Sequence, residues 1–141
     1  MNRDLVLIQK SKNMETQRNL GIWMDHAVAN LIDLNSEKNS HTITSNFTSD
    51  VQDDALRKNE NLMHNKRQQM LEAFYKEIAS EVLKYNHVLL FGPTNAKTEL
   101  HNFLNKDLRF KDIKICTEPT DKMTENQKEA FMKNHFEKES S

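Results

Sequence analysis

The sequence of 141 residues contains a single cysteine, Cys116, and only two glycines and two prolines. One cysteine cannot form an internal disulfide, so the chain is expected to work in the reducing environment of the cytoplasm. Because glycine is scarce, asparagine and aspartate are expected to occupy many of the tight-turn positions that other side chains resist.

A long apolar run and a strong net charge are also missing. No apolar stretch approaches the roughly 18 residues that a membrane span requires, and the run Leu5 to Ile8 is too short for the core of a signal peptide. We therefore predict no membrane partner. The formal net charge is −1, which argues against a global field that holds bare nucleic acid, so any such contact must come from a local patch.

The sequence does contain alternating strand and helix patterns behind a polar tail, residues 1–18, which is predicted to be poorly ordered. Residues 48–60 lack periodicity and predict a mobile loop. The remaining segments have strand or helix periodicity. Strands are predicted at about 20–24, 28–34, 41–47, 87–91 and 113–117, and helices at about 61–84, 96–104 and from 124 onwards.

This succession, β-β-β-α-β-α-β-α, predicts an α/β domain. Three strands joined by short polar turns imply an antiparallel meander, and the strands that alternate with helices imply right-handed crossovers. The result is a mixed sheet flanked by helices, in the order found in the three-layer ribonuclease H-like fold.

The turn from Gly92 to Lys97 is the first candidate site. A glycine at the end of a buried strand permits backbone geometry that other residues resist, and Thr94 or Asn95 can cap the following helix. The free N–H groups there, with Lys97 close by, can hold a phosphate of RNA. The alternative is a strand-to-helix turn with no ligand.

A local basic patch is the second candidate, at the end of the long loop and the start of the first helix. Its cations can meet RNA phosphates, and the alternative is a solvated helix face. The patch comprises Arg57, Lys58, His64, Lys66 and Arg67.

Catalytic and metal chemistry find less support in the sequence. Asp25 follows the first strand, where ribonuclease H-like nucleases place a metal-binding carboxylate, but such enzymes need several acids around two metal ions. The alternative for Asp25 is a turn residue. No two histidines have a short metal-ligand spacing and no cysteine pair exists, so neither a metal nor another cofactor is predicted. Cys116 lies in an apolar strand, where a thiol is usually inert.

The segment from His87 to Leu100, HVLLFGPTNAKTEL, resembles the strand-turn-helix in the central domain of eukaryotic and archaeal class-1 peptide release factors and of pelota. The basic stretch from His64 to Gln69 resembles the start of the long helix in that domain. The segments 21–26 and 121–127 are similar to small bacterial proteins often called translational machinery proteins. The resemblance covers about residues 20–136, and it implies a single domain of this kind over residues 19–138.

The release factors carry Gly-Gly-Gln in the loop before the long helix, whereas this chain has no glycine between Gly21 and Gly92. The resemblance therefore implies a non-catalytic translation factor that binds the ribosome, through rRNA or tRNA, of the stress or hibernation type. Two alternatives remain open. One is a metal-dependent nuclease that uses Asp25, and the other is a protein-binding adaptor.

Overall fold

A computed structural model of the chain describes residues 17–45 and 60–140. Within them lie five strands and three α-helices, which confirms the predicted α/β class with a mixed sheet. Most of the predicted tail, 1–18, and of the predicted loop, 48–60, lies outside the described residues. The elements are β1 (Asn19–Met24), β2 (Val28–Ile32), β3 (His41–Thr44), α1 (Glu60–Val82), β4 (His87–Gly92), α2 (Ala96–Asn105), β5 (Lys114–Pro119) and α3 (Glu125–Ser140).

The strands form one sheet in the order β3-β2-β1-β4-β5. The β1–β2 and β2–β3 pairs are antiparallel, as a meander requires. The β1–β4 and β4–β5 pairs are parallel, and each is connected through a segment that contains a helix. The first strand of the chain is thus the central strand of the sheet, with its antiparallel partner on one side and its parallel partner on the other.

Apolar residues cover both faces of the sheet. Leu20, Ile22 and Met24 of β1 pack with α1 and α2 in the larger core cluster. Trp23, between them in sequence, packs with Met132 of α3 in a second cluster on the opposite face. Because successive side chains of a strand point to opposite faces, β1 and β4 supply both clusters, and the sheet is the middle of three layers.

Gly92 meets the expectation for a glycine at the end of a buried strand. Its φ is +147°, a conformation that L side chains rarely adopt. A Cβ added there would lie 2.2 Å from the backbone oxygen of Met24. The turn that follows β4 therefore depends on the absence of a side chain, both for its dihedral angle and for the close approach of β1.

Two local predictions have different outcomes. The helix predicted from residue 124 onwards is present as α3, and it begins with a capping box, since the Thr124 N–H donates to Gln127 Oε1 at 2.9 Å and the Gln127 N–H donates to Thr124 Oγ1 at 3.2 Å. The prediction of a core strand around Ile113 to Thr117 was wrong in its placement. The strand there, β5, lies at the sheet edge with only β4 beside it, and none of its residues is fully buried.

Within the ranges that the structure describes, no helix combines the length and the apolar composition needed to cross a membrane.

Candidate functional site

A cleft of about 320 Å³ lies between α1 and α2. The residues of α2 that line it recur at three- and four-residue steps, which places them along one stripe of that helix. The lining from α1 follows the same helical periodicity. The cleft is lined by His64, Arg67, Gln68, Leu71, Glu72 and Tyr75 of α1, by Glu99, Asn102 and Phe103 of α2, and by Lys106 just after α2.

A hydrogen-bonded network crosses one end of the cleft. The buried Tyr75 hydroxyl donates to Glu99 Oε1 at 2.7 Å, and Nε2 of His26 lies 3.1 Å from the same oxygen. Burial raises the pKa of the Tyr75 phenol, and the hydrogen bond to Glu99 raises it further. Tyr75 therefore stays protonated at neutral pH and acts as a donor that holds the Glu99 carboxylate against the wall of the cleft.

The permanent charges of the cleft are balanced. Arg67 and Lys106 contribute cations, and Glu72 and Glu99 contribute carboxylates. The Glu99 carboxylate is already engaged by Tyr75 and His26, and it lies in the first turn of α2, where the helix dipole favours a negative charge. A ligand therefore meets two cations and two carboxylates, of which Glu99 is already hydrogen-bonded within the protein.

An aromatic pair borders the apolar part of the cleft. The rings of Tyr75 and Phe103 are tilted at 54° with their centroids 6.0 Å apart. Tyr75 is buried, whereas Phe103 is half-buried and presents part of its ring to the cleft. An accessible aromatic ring in a cleft that also contains cationic side chains is a surface on which a nucleic acid base can stack.

Contrary to the prediction from the sequence, the turn after β4 does not present Lys97 to a phosphate. The Lys97 side chain is buried, with 7% of the residue exposed, and its Nζ donates to the Thr94 carbonyl oxygen at 2.6 Å. The Thr94 hydroxyl accepts from the Ala96 N–H at 3.2 Å, while Asn95 occupies the N-cap position without a side-chain cap. Lys97 thus closes the turn internally, whereas the other two predicted ligands, Thr94 and Asn95, reach the surface.

The predicted RNA-binding residues only partly converge. His64 and Arg67 line the cleft, and Lys66 lies between them in sequence, half-buried, without lining it. Asn95 precedes Glu99 by one helical turn, which brings the surface of the β4–α2 turn close to the network end of the cleft. Arg57 and Lys58 lie outside the described residues.

Among the lining residues that the sequence reasoning missed are Asn102, Phe103 and Lys106. Their spacing from Glu99 is a helical stripe, and this signal was available in the sequence. What the sequence did not supply is the packing of α2 against α1, which turns the stripe into one wall of a cleft.

Asp25 is a turn residue in this structure. Its Oδ1 accepts from the N–H groups of Ala27 at 2.8 Å and Val28 at 2.9 Å, which closes the connection between β1 and β2. The metal-donor group found in the described part of the chain does not include Asp25. The carboxylate therefore has a structural task, and within residues 17–45 and 60–140 it belongs to no group of three or more metal-donor side chains, whereas two-metal nuclease chemistry needs several converging acids.

A separate set of donor atoms occurs on the other face of the sheet. One ligand atom each of His87, Cys116 and His135 lies within 4.8 Å of the other two. No metal site was predicted from the sequence because short ligand spacings are absent, whereas these three residues come from β4, β5 and α3.

Comparisons with known proteins add no relative: no protein-family model matches the chain, and neither does any curated protein. The resemblance to the release-factor central domain therefore stays a prediction from the sequence.

Proposed function

We propose that this chain is a non-catalytic RNA-binding protein that associates with the ribosome or with tRNA, built on a ribonuclease H-like fold. The mixed sheet with three antiparallel strands followed by two parallel ones supports the fold assignment. The resemblance of the segment from His87 to Leu100 to the release-factor central domain supports the ribosomal role.

The observation that carries the RNA-binding proposal is the α1–α2 cleft, whose lining includes an accessible aromatic ring and two cations. In this proposal Phe103 stacks on an unpaired base, while Arg67 and Lys106 contact the flanking phosphates. The hydrogen bonds that Tyr75 and His26 make to Glu99 reduce the repulsion between this carboxylate and a phosphate. Single-stranded or loop RNA fits such a site better than a duplex, because its bases are free to stack on the ring.

The test is cosedimentation of the full chain with ribosomes through sucrose, from both growing and stressed cells, at low and at moderate salt. The variant carries Arg67→Glu together with Lys106→Glu, and the matched control is Lys133→Glu on α3, on the opposite face of the sheet. We expect the wild type and the control to sediment with ribosomes and the double variant to stay at the top of the gradient.

Binding of a short single-stranded RNA provides the quantitative readout. Loss of two phosphate contacts should lower the slope of log K against log salt by about 1.4, at about 0.7 per contact. Absence of the wild type from every ribosomal fraction, together with no RNA binding at low salt, would refute the proposal. Equal binding by the double variant and the control would refute the assignment of the cleft.

The two alternative functions receive no comparable support. A nuclease centred on Asp25 requires further carboxylates beside it, whereas Oδ1 of this residue is engaged in a turn. An adaptor requires a continuous exposed apolar face. Within the described ranges, the exposed large apolar side chains are Leu34, Leu83 and Leu108, which follow β2, α1 and α2 respectively.

A further inference from the structure

Three metal-binding side chains meet between α3 and the face of the sheet that this helix covers. His87 begins β4 and shares a face with Leu89, because side chains two residues apart on a strand point the same way. Leu89 pairs with Cys116 in the neighbouring β5, so His87 and Cys116 lie diagonally across the two strands on one face. His135 of α3 packs against His87, and the centroids of the two rings are 5.8 Å apart.

Two ring nitrogens at this point are buried without a hydrogen-bond partner. They are the Nε2 atoms of His87 and His135, and neither finds a donor or acceptor within residues 17–45 and 60–140. Only 5% of His87 is exposed. A buried polar atom left unsatisfied costs about 1–3 kcal/mol, so two such atoms beside a thiol call for an explanation.

We propose that His87, Cys116 and His135 form a binding site for a thiophilic divalent metal ion, of which Zn²⁺ is the representative. Two imidazoles and one thiolate are a donor set that zinc favours, whereas Ca²⁺ and Mg²⁺ prefer oxygen ligands. This proposal does not depend on the proposed RNA-binding function, since the site lies on the opposite face of the sheet from the α1–α2 cleft.

The distances suit this assignment after a small contraction. Tetrahedral zinc, with bonds of about 2.0–2.1 Å to nitrogen and about 2.3 Å to sulfur, holds neighbouring donor atoms about 3.3–3.6 Å apart. The three donor atoms already lie within 4.8 Å of one another. Movements of about 1 Å bring them into position, a range that rotations about χ1 and χ2 provide without displacement of the strands.

The protonation state of His87 is favourable for metal binding, and one proton must leave Cys116. Burial lowers the pKa of His87, and the nearby Lys114 lowers it further, so its imidazole is neutral and has a free lone pair. Burial raises the pKa of Cys116, which is therefore a thiol without metal. On binding, the S–H bond breaks, its electron pair forms the bond from sulfur to the metal, and the proton passes to solvent.

A carboxylate lies beside the three ligands. Glu139 follows His135 by one turn of α3, and its side chain pairs with Lys114 of β5. The negative charge of Glu139 acts on both His87 and Cys116. An acidic group, paired with a lysine, therefore lies within electrostatic range of two of the three ligands.

The competing explanation is an aromatic cluster that needs no metal. The ring of Phe136 lies edge-on to those of His87 and His135, with centroid distances of 4.8 Å and 5.3 Å. This packing accounts for the rings as apolar surface but leaves both Nε2 atoms without a partner. The two explanations differ in what happens when metal is added.

The experiment uses the full chain without a histidine tag, freed of metal by a chelator and titrated anaerobically with Co²⁺. We expect saturation at one ion per chain, with a near-ultraviolet band of thiolate-to-cobalt charge transfer and intense visible bands of tetrahedral cobalt. Added Zn²⁺ should abolish these bands and raise the melting temperature of the protein.

Cys116→Ser and His135→Gln are the test variants, because both residues are only half-buried, and His41→Gln at an exposed position is the control. Circular dichroism checks that each variant is folded. We expect the charge-transfer band to vanish in Cys116→Ser, the Co²⁺ affinity to fall at least 10-fold in His135→Gln, and the control to match the wild type. No cobalt spectrum in the wild type, or a spectrum unchanged by Cys116→Ser, would overturn the proposal in favour of the aromatic cluster.

Discussion

The two tyrosines of this chain allow the value of a buried hydrogen bond to be compared with that of an exposed one. Tyr75 and Tyr85 are buried to the same degree, 5% and 6% exposed, and each hydroxyl donates to a carboxylate at 2.7 Å. Their acceptors differ. Asp33 is buried, with 6% of the residue exposed, whereas 45% of the Glu99 side chain is exposed. The substitutions Tyr85→Phe and Tyr75→Phe keep the ring and remove only the donor.

The expected loss of unfolding free energy depends on whether another donor or water can replace the tyrosine hydroxyl. Without the Tyr85 hydroxyl, Asp33 Oδ2 keeps only a long contact of 3.5 Å to the Asn39 side chain and has little access to water. Loss of a hydrogen bond to a charged buried group costs about 1.5–3 kcal/mol. Water reaches Glu99, and His26 still contacts it, so Tyr75→Phe should cost less than about 1 kcal/mol.

Urea unfolding followed by circular dichroism measures both changes on the same scale, provided that the m-value is constant. We expect Tyr85→Phe to lower the unfolding free energy by at least about 1 kcal/mol more than Tyr75→Phe. Equal losses, or a larger loss for Tyr75→Phe, would refute the argument that burial of the acceptor decides the cost.

Three further outcomes are expected. Burial and the bond to Asp33 raise the pKa of Tyr85 to about 12, and that of Tyr75 is also raised. The ultraviolet titration of both phenols should therefore lie well above pH 10 in the folded chain and near pH 10 in urea; the stability that Tyr85 provides is complete below pH 10 and is lost as the pH rises through 12. Gly92→Ala should cost about 3 kcal/mol or more in urea unfolding, because a positive φ and a clash with backbone coincide there. Lys128→Met removes a cation 4.4 Å from the Trp23 ring centroid and a donor 2.6 Å from Asn30 Oδ1, and should lower the melting temperature by a shift equivalent to about 1–3 kcal/mol.

The order of strands and helices was readable from the sequence because the helices and β1 show an apolar period and β4 is a continuous apolar run. The turn at Gly92 and the capping box at Thr124 were readable too, since each depends on local chemistry within a few residues. The end of β2 was less readable. The apolar pattern runs to Leu34, but Asp33 accepts from the N–H groups of Asn35 and Ser36 and so ends the strand at Ile32.

The candidate site was less predictable than the fold because it depends on which elements become neighbours. Arg67 was recognised from the local density of charge, but the partners Phe103 and Lys106 belong to a helix that reaches it only through packing. The same reason hid the grouping of His87 with His135, which lie on different elements. Lys97 failed as a phosphate ligand because its flexible stem folds back onto Thr94, an outcome that composition does not encode.

The position of β1 has a consequence for how the chain folds. Its parallel partner comes much later in sequence, as the contact between Arg18 and Asn86, 68 residues apart, illustrates. The meander of β1, β2 and β3 can form early from local contacts, yet β1 keeps one edge unpaired until β4 arrives. Closing so long a loop slows folding, because its entropy is lost before the pairing is gained. Until β4 pairs with it, β1 has an unpaired edge, and such an edge can pair with other chains and cause aggregation during folding.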